Sequence, residues 1–152
     1  MKQNVTIKVA NGEEPIESPH KFDRIIANLV LMATEDPLKM LKNFHSMAAE
    51  GCLLGVTIWG EKALSNFMTI LPEAMKANGA EPPPSRNPFH LYGKLPELAD
   101  QSGWEIILSW DQNAPFPHTQ IDKELMDHIK FQTKGNQNMT DFFVKRVKEI
   151  FD

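Results

Sequence analysis

The segment Lys21 to Gly60, KFDRIIANLVLMATEDPLKMLKNFHSMAAEGCLLGVTIWG, constrains the fold more than any other part of the chain. Phe22 to Asn28 has strand character through Ile25, Ile26 and Ala27. Asp36 suits a helix N-cap, where its carboxylate accepts from a first-turn N–H, and Pro37 suits the first helical position, where a missing N–H costs nothing. Leu38, Leu41, Phe44 or His45, and Met47 or Ala48 recur at helical spacing, with Gly51 expected to close the helix. Cys52 to Trp59, CLLGVTIW, is nearly continuous apolar sequence, which predicts a strand covered on both faces. Strand, helix, strand in that order predicts a right-handed βαβ crossover and hence an α/β fold on a parallel sheet.

Around this unit the pattern continues. Asn4 to Ala10, NVTIKVA, alternates through Val5, Ile7 and Val9 as a short strand, ended by the Asn11-Gly12 turn pair and a polar, proline-bearing loop. A helix is expected from about Leu64 to Asn78, with Leu64, Phe67, Met68, Leu71 and Met75 inward and a kink or split at Pro72. The extended EPPPSRNP loop leads to a short helix, Leu95 to Gln101, stopped by Gly103. Trp104 to Trp110 alternates as a further strand, and NAPFPHT has room for a brief edge strand only, since its prolines exclude a central one. Thr119 and Asp122 mark the start of a helix carrying Ile121, Leu125 and Ile129. Thr140 is the expected cap of a last helix using Phe143, Val147 and Ile150.

Composition removes several classes of function. A net charge of −4 without a concentrated basic face argues against nucleic acid or an anionic membrane as partner. The apolar run Cys52 to Trp59 is too short to span a bilayer. One cysteine excludes an internal disulfide and fits a reducing compartment, so a cytoplasmic location is expected, with Cys52 as inert strand packing. The five histidines, His20, His45, His90, His118 and His128, have no metal-ligand spacing, and no metal is expected. There is no GxSxG, and Cys52 has no local His partner, so the catalytic residue is left unassigned.

From Asn4 to about His118 the chain resembles the C-terminal two thirds of a class I S-adenosylmethionine-dependent methyltransferase that acts on small molecules. VTIKVANGEE looks like that family's third strand and adenine-side loop, and HKFDRIIANLVLM like its fourth strand and the cofactor-facing turn beyond. DPLKMLKNFHSMAAEGCLLGVTIWG is similar to the following helix and fifth strand, although SMAAEG lacks the usual basic residue, proline and double glycine. NPFHLYGKLPELADQSGWEII looks like the segment that introduces the last strands. The resemblance implies an incomplete Rossmann-like sheet of strands three to seven with flanking helices. Strands one and two and the Gly-rich loop between them are missing. None of the eight glycines forms a GxGxG between a strand and a helix. Residues 1–118 are then a truncated methyltransferase-like domain and 119–152 are helices added to it, a single domain overall.

The resemblance also implies site residues, each with a plainer alternative. Asn11 and Gly12 match adenine-side positions, or form an ordinary turn. Asn28 and Leu29 match the turn against the cofactor's amino-acid end, or end a strand. Trp59 opens the substrate side of the pocket or packs in the core. Phe89, His90 and Tyr92 stand together on that side, with His90 as a base or donor, or as an ordinary loop histidine. In that family strands one and two separate strand three from strand four. Without them, either strand three moves beside strand four or strand four is a raw edge. The expected cofactor is S-adenosylmethionine, held weakly or not at all by this chain alone. A homo-oligomer or a partner protein completing the sheet is expected, with a small-molecule methyl acceptor. The alternative is a non-catalytic interaction module that docks a partner through its sheet edge.

Overall fold

The computed structural model describes residues 5–82, 87–113 and 121–151, with the backbone alone at residues 66, 67, 150 and 151. It divides into two compact units. The first comprises Met1–Trp59 and Arg86–Ser109, the second Gly60–Ser85 and Trp110–Asp152. The boundary expected at residue 118 therefore falls inside the second unit, and the helix after Gly60 belongs with the C-terminal helices rather than with the sheet.

The first unit is built on the βαβ segment. Strand β1 (Phe22–Asn28) pairs in parallel with β2 (Ala48–Thr57), and helix α1 (Pro37–Met47) joins them after a 3-10 turn at Leu31–Ala33. Asp36 caps α1, its carboxylate accepting from the Lys39 N–H at 2.9 Å, and Pro37 begins the helix. The helix ends earlier than Gly51 suggests, because Ala48 already belongs to β2. Gly51, with φ +72°, instead lies in an irregularity of the ladder: Phe22 pairs with Ala48 but Arg24 with Leu53. An extra loop of backbone there needs a left-handed residue, which glycine supplies without a Cβ clash.

One face of this sheet is covered. Ala27 with the half-buried Ile25, Leu54 and Val56 meets Met40, Leu41 and Phe44 of α1, joined by Leu31, Met32 and Leu91. Helix α3 (Leu95–Gln101) also packs on α1, as expected for its range, and ends at Gly103, φ +83°. Trp104 locks this corner: its indole N–H donates to the Leu41 carbonyl at 3.1 Å and its ring meets His45 edge-on. The opposite face carries Ile26, 82% exposed, with exposed Leu53, Gly55 and Thr57. The expectation that Cys52 to Trp59 is covered on both faces is thus corrected. One face alone has a helix.

Two expected strands do not form. Residues 5–10 and 104–110 join no ladder among the described residues, and the sheet has two strands only. Apart from the half-buried Trp104, their apolar side chains face solvent, Val9 fully and Ile107 and Leu108 at 73% and 72%. Alternation marks which side chains a strand would bury, but a strand also needs a neighbour to take its N–H and C=O groups.

The second unit is helical. Helix α2 (Asn66–Ala77), α4 (Lys123–Gln132) and α5 (Gln137–Phe151) bury Ile70, Leu125, Ile129, Phe143 and Val147 in one cluster. The α2 stripe is rotated from the expected one: Ile70 and Ala74 are buried, while Leu64 and Met68 are exposed. Helix α2 runs through Pro72 as one element, lacking only the hydrogen bond that a proline nitrogen cannot donate. Asp122 caps α4 by accepting from the Leu125 N–H at 2.8 Å. Thr140 does not cap α5. It lies inside that helix, buried, with its hydroxyl 2.8 Å from that of Thr133, and the Asn136 side chain accepts from Met139 instead. The expectations at Asn4, Thr119, Phe67 and Ile150, and the edge strand at NAPFPHT beyond Asn113, lie outside the described residues or side chains.

Candidate functional site

In open α/β sheets ligands sit outside the carboxyl ends of the strands. Here β1 and β2 end side by side, Asn28 paired with Thr57. Leu29 follows with φ +52°, a conformation that a residue with a Cβ adopts at a cost of about 1–2 kcal/mol. Its N–H donates to both the carbonyl (3.1 Å) and the hydroxyl oxygen (3.0 Å) of Thr57, whose own hydroxyl donates to the Asn28 side-chain oxygen. These contacts hold the turn, and the Leu29 side chain is left 41% exposed at the strand end. An unusual backbone conformation fixed by three contacts at this place is where function is sought first. Thr57 was not singled out from sequence, yet it is the only hydroxyl residue in the run Cys52 to Trp59.

The Asn11–Glu14 loop is joined to the same unit through α1. The Asn11 side-chain oxygen accepts from the Glu13 N–H at 3.0 Å, and the Asn11 carbonyl from the Glu14 N–H. Asn43 donates to the Gly12 carbonyl at 2.9 Å, and a Cβ at Gly12 would come 2.3 Å from the end of the Met40 side chain. A Cβ at Gly12 would displace that flexible side-chain end. Glu13 and Glu14 are not idle surface charges: Glu13 accepts from the Glu35 N–H and Glu14 pairs with Lys39 at 3.1 Å.

The third part is the turn from Asn87. The Asn87 side-chain oxygen accepts from the Phe89 N–H, and its carbonyl accepts from the His90 N–H and lies 2.6 Å from His90 Nδ1. Leu91, buried beside Leu31 and Met32, anchors this turn against the one after β1. A cavity of about 280 Å³ opens there, lined by Thr34, Glu35, Asn87 and His90. Phe89 is half-buried and Tyr92 exposed; Trp59 packs against the apolar cluster. His90 alone among the expected substrate-side residues lines this cavity. Thr34 and Glu35, missed in the sequence, carry no signal there beyond following an apolar turn.

The second unit has its own shallow cavity, about 500 Å³, lined by Glu61, Lys62, Ala63, Thr69 and Glu73. Arg146 donates to Glu149 and, at 3.3 Å, to Glu73; the bond to Glu149 first, and that to Glu73 next, raise its pKa above the usual guanidinium value. Among the described residues no cluster of three or more His, Cys, Asp or Glu is placed to hold a metal ion, and no helix is long and apolar enough to cross a membrane.

Of the groups named from sequence on the cofactor side, the side-chain oxygens of Asn11 and Asn28 and the N–H of Leu29 are hydrogen-bonded within the chain. Compared with known proteins, the chain matches no family model, no curated protein and no solved structure.

Proposed function

We propose that this chain is the second half of a class I S-adenosylmethionine-dependent methyltransferase sheet, competent for transfer to a small molecule only when another segment or polypeptide supplies the remaining strands and the Gly-rich loop. One observation carries the reading. Residues 5–10 and 104–110 have strand patterns and, Trp104 apart, exposed apolar side chains, but no ladder partner among the described residues, whose parallel sheet has two strands. Parallel strands with a bare face and open edges are normally covered and paired. The resemblance of VTIKVANGEE, HKFDRIIANLVLM and NPFHLYGKLPELADQSGWEII to the family's segments supplies the chemistry.

Two measurements test it. Size-exclusion chromatography with light scattering is expected to show self-association or dependence on a partner; a well-behaved monomer of 17.3 kDa sinks that part. Calorimetric titration of the chain alone with S-adenosylhomocysteine is expected to give no heat. Binding tighter than about 100 μM, roughly −5.5 kcal/mol, would show that the missing loop is not needed.

A second reading, a docking module without catalysis, is favoured by the internal bonding of Asn11, Asn28 and Leu29 beside the exposed Ile26, Ile107 and Leu108. Cofactor binding by the assembled species decides between the two. Its absence there leaves only the docking role.

A further inference from the structure

We propose that Asn11 is a site of covalent modification, spontaneous deamidation to aspartate and isoaspartate, and that the fold holds the chain's other Asn-Gly pair, Asn78–Gly79, out of the same reaction. An asparagine followed by glycine is the pair in which this reaction is least hindered, because the attacking backbone nitrogen has no side chain beside it. The Gly12 nitrogen gives up its proton to water and bonds to Asn11 Cγ. The Cγ–Nδ2 bond breaks, ammonia leaves, and the resulting cyclic imide takes up one water. Opening at the side-chain carbonyl gives aspartate, and opening at the main-chain carbonyl gives isoaspartate. Water is the sole co-reactant.

At Asn11 both reacting groups are open. The residue is exposed, and neither its Nδ2 nor the Gly12 N–H has a hydrogen-bond partner among the described residues. The Asn11 Oδ1 accepts from the Glu13 N–H at 3.0 Å, which folds the side chain over the Asn11–Gly12 peptide and draws electron density from Cγ, the atom attacked. Asn78 has the opposite setting. It ends α2, where its Nδ2 donates to the Ala74 carbonyl at 2.8 Å and the Gly79 N–H donates to the Lys76 carbonyl at 3.0 Å. Ring closure needs the nitrogen and Cβ on the same side of the Cα–C bond, hence a strongly negative ψ. Asn78 is held at ψ +18°, which turns the Gly79 nitrogen away. Leaving group and nucleophile are thus both engaged, and the need to release both hydrogen bonds slows this site by about tenfold or more.

The effect of conversion follows from what the loop touches. Isoaspartate inserts the former side-chain methylene into the main chain immediately before Gly12, whose carbonyl accepts from Asn43 at 2.9 Å. Glu13 and Glu14 beyond it reach the Glu35 N–H and Lys39. The added backbone atom puts these contacts out of register, so conversion loosens the loop from α1 and the turn before it. The reaction is independent of the methyl-transfer reading.

The test incubates the full chain at neutral pH and follows both sites by peptide mapping with mass spectrometry, in buffer and in urea. Asn11→Gln, whose longer side chain closes the ring poorly, is the control variant. In buffer the Asn11 peptide is expected to exchange ammonia for water, as separate aspartate and isoaspartate species, about tenfold or more faster than the Asn78 peptide. In urea, where neither pair is held, the two rates are expected to converge. The isoaspartate fraction is expected to melt below the unmodified chain, while Asn11→Gln keeps its melting temperature through the same incubation. Conversion of Asn78 as fast as Asn11 in buffer overturns the proposal. So does an Asn11 that converts in urea but not in buffer over the same time, or an Asn78 that remains the slower site by the same factor in urea. Equal melting of the isoaspartate fraction and the unmodified chain overturns the loosening of the loop.

Discussion

The two units each bury a firm apolar cluster, but they satisfy their backbones in different ways. In the helical unit Ile70, Leu125, Ile129, Phe143 and Val147 are all at most 1% exposed. In the sheet unit an equally firm cluster around Leu31 and Leu41 coexists with Ile26, Ile107 and Leu108 in solvent. A helix closes its own backbone hydrogen bonds and needs only a neighbour for its apolar stripe. A strand must find another strand as well, and a two-stranded sheet is marginal by itself. The helices of the second unit therefore need no further backbone partner, whereas the strand patterns at residues 5–10 and 104–110 find none among the described residues.

Four substitutions would sharpen or break that contrast. Phe143→Ala should be the most damaging, about 3–5 kcal/mol in urea unfolding, since it empties the centre of the helical cluster. Leu41→Ala should follow, at about 2–5 kcal/mol, on the covered side of the sheet. If the second loss equals the first within error, the covered face is as complete as the helical core. Asp122→Ala removes the α4 cap and should cost about 1 kcal/mol in the same assay. Ile26→Thr should change the stability of the isolated chain by no more than about 0.5 kcal/mol, because the side chain is already in water. A loss above about 2 kcal/mol in the chain alone would show that this face is buried and would end the contrast. In the assembled species the larger loss is the expected one.

What could be read from the sequence divides along the same line. Phe22–Asn28, the Asp36–Pro37 start, Leu95–Gln101 and the Leu125/Ile129 stripe all follow from local signals, a cap or a period that the residues themselves complete. Residues 5–10 and 104–110 carried equally clear alternation, but pairing depends on a partner strand that no local pattern reports. Gly51 and Thr140 were misassigned for a related reason. A glycine after a helical run and a threonine before one are consistent with caps, while tertiary pairing decided that the first serves the ladder and the second the interior of α5. At the site, Asn28, Leu29 and His90 were legible, whereas Thr57, Thr34 and Glu35 became visible only when the strand ends and turns met.

The irregularity at Gly51 sets the parity of everything after it. Two steps along β1, from Phe22 to Arg24, are matched by five along β2, from Ala48 to Leu53. An odd surplus inverts the in-and-out alternation, so Leu54 and Val56 meet α1 while Gly55 and Thr57 face away. Loss or gain of one residue between Glu50 and Cys52 would transpose the two sets, putting Thr57 into the oil and taking its hydroxyl away from Asn28. That short detour works as the frame-setting punctuation of the unit, and an indel there would do more harm than most replacements of the letters themselves.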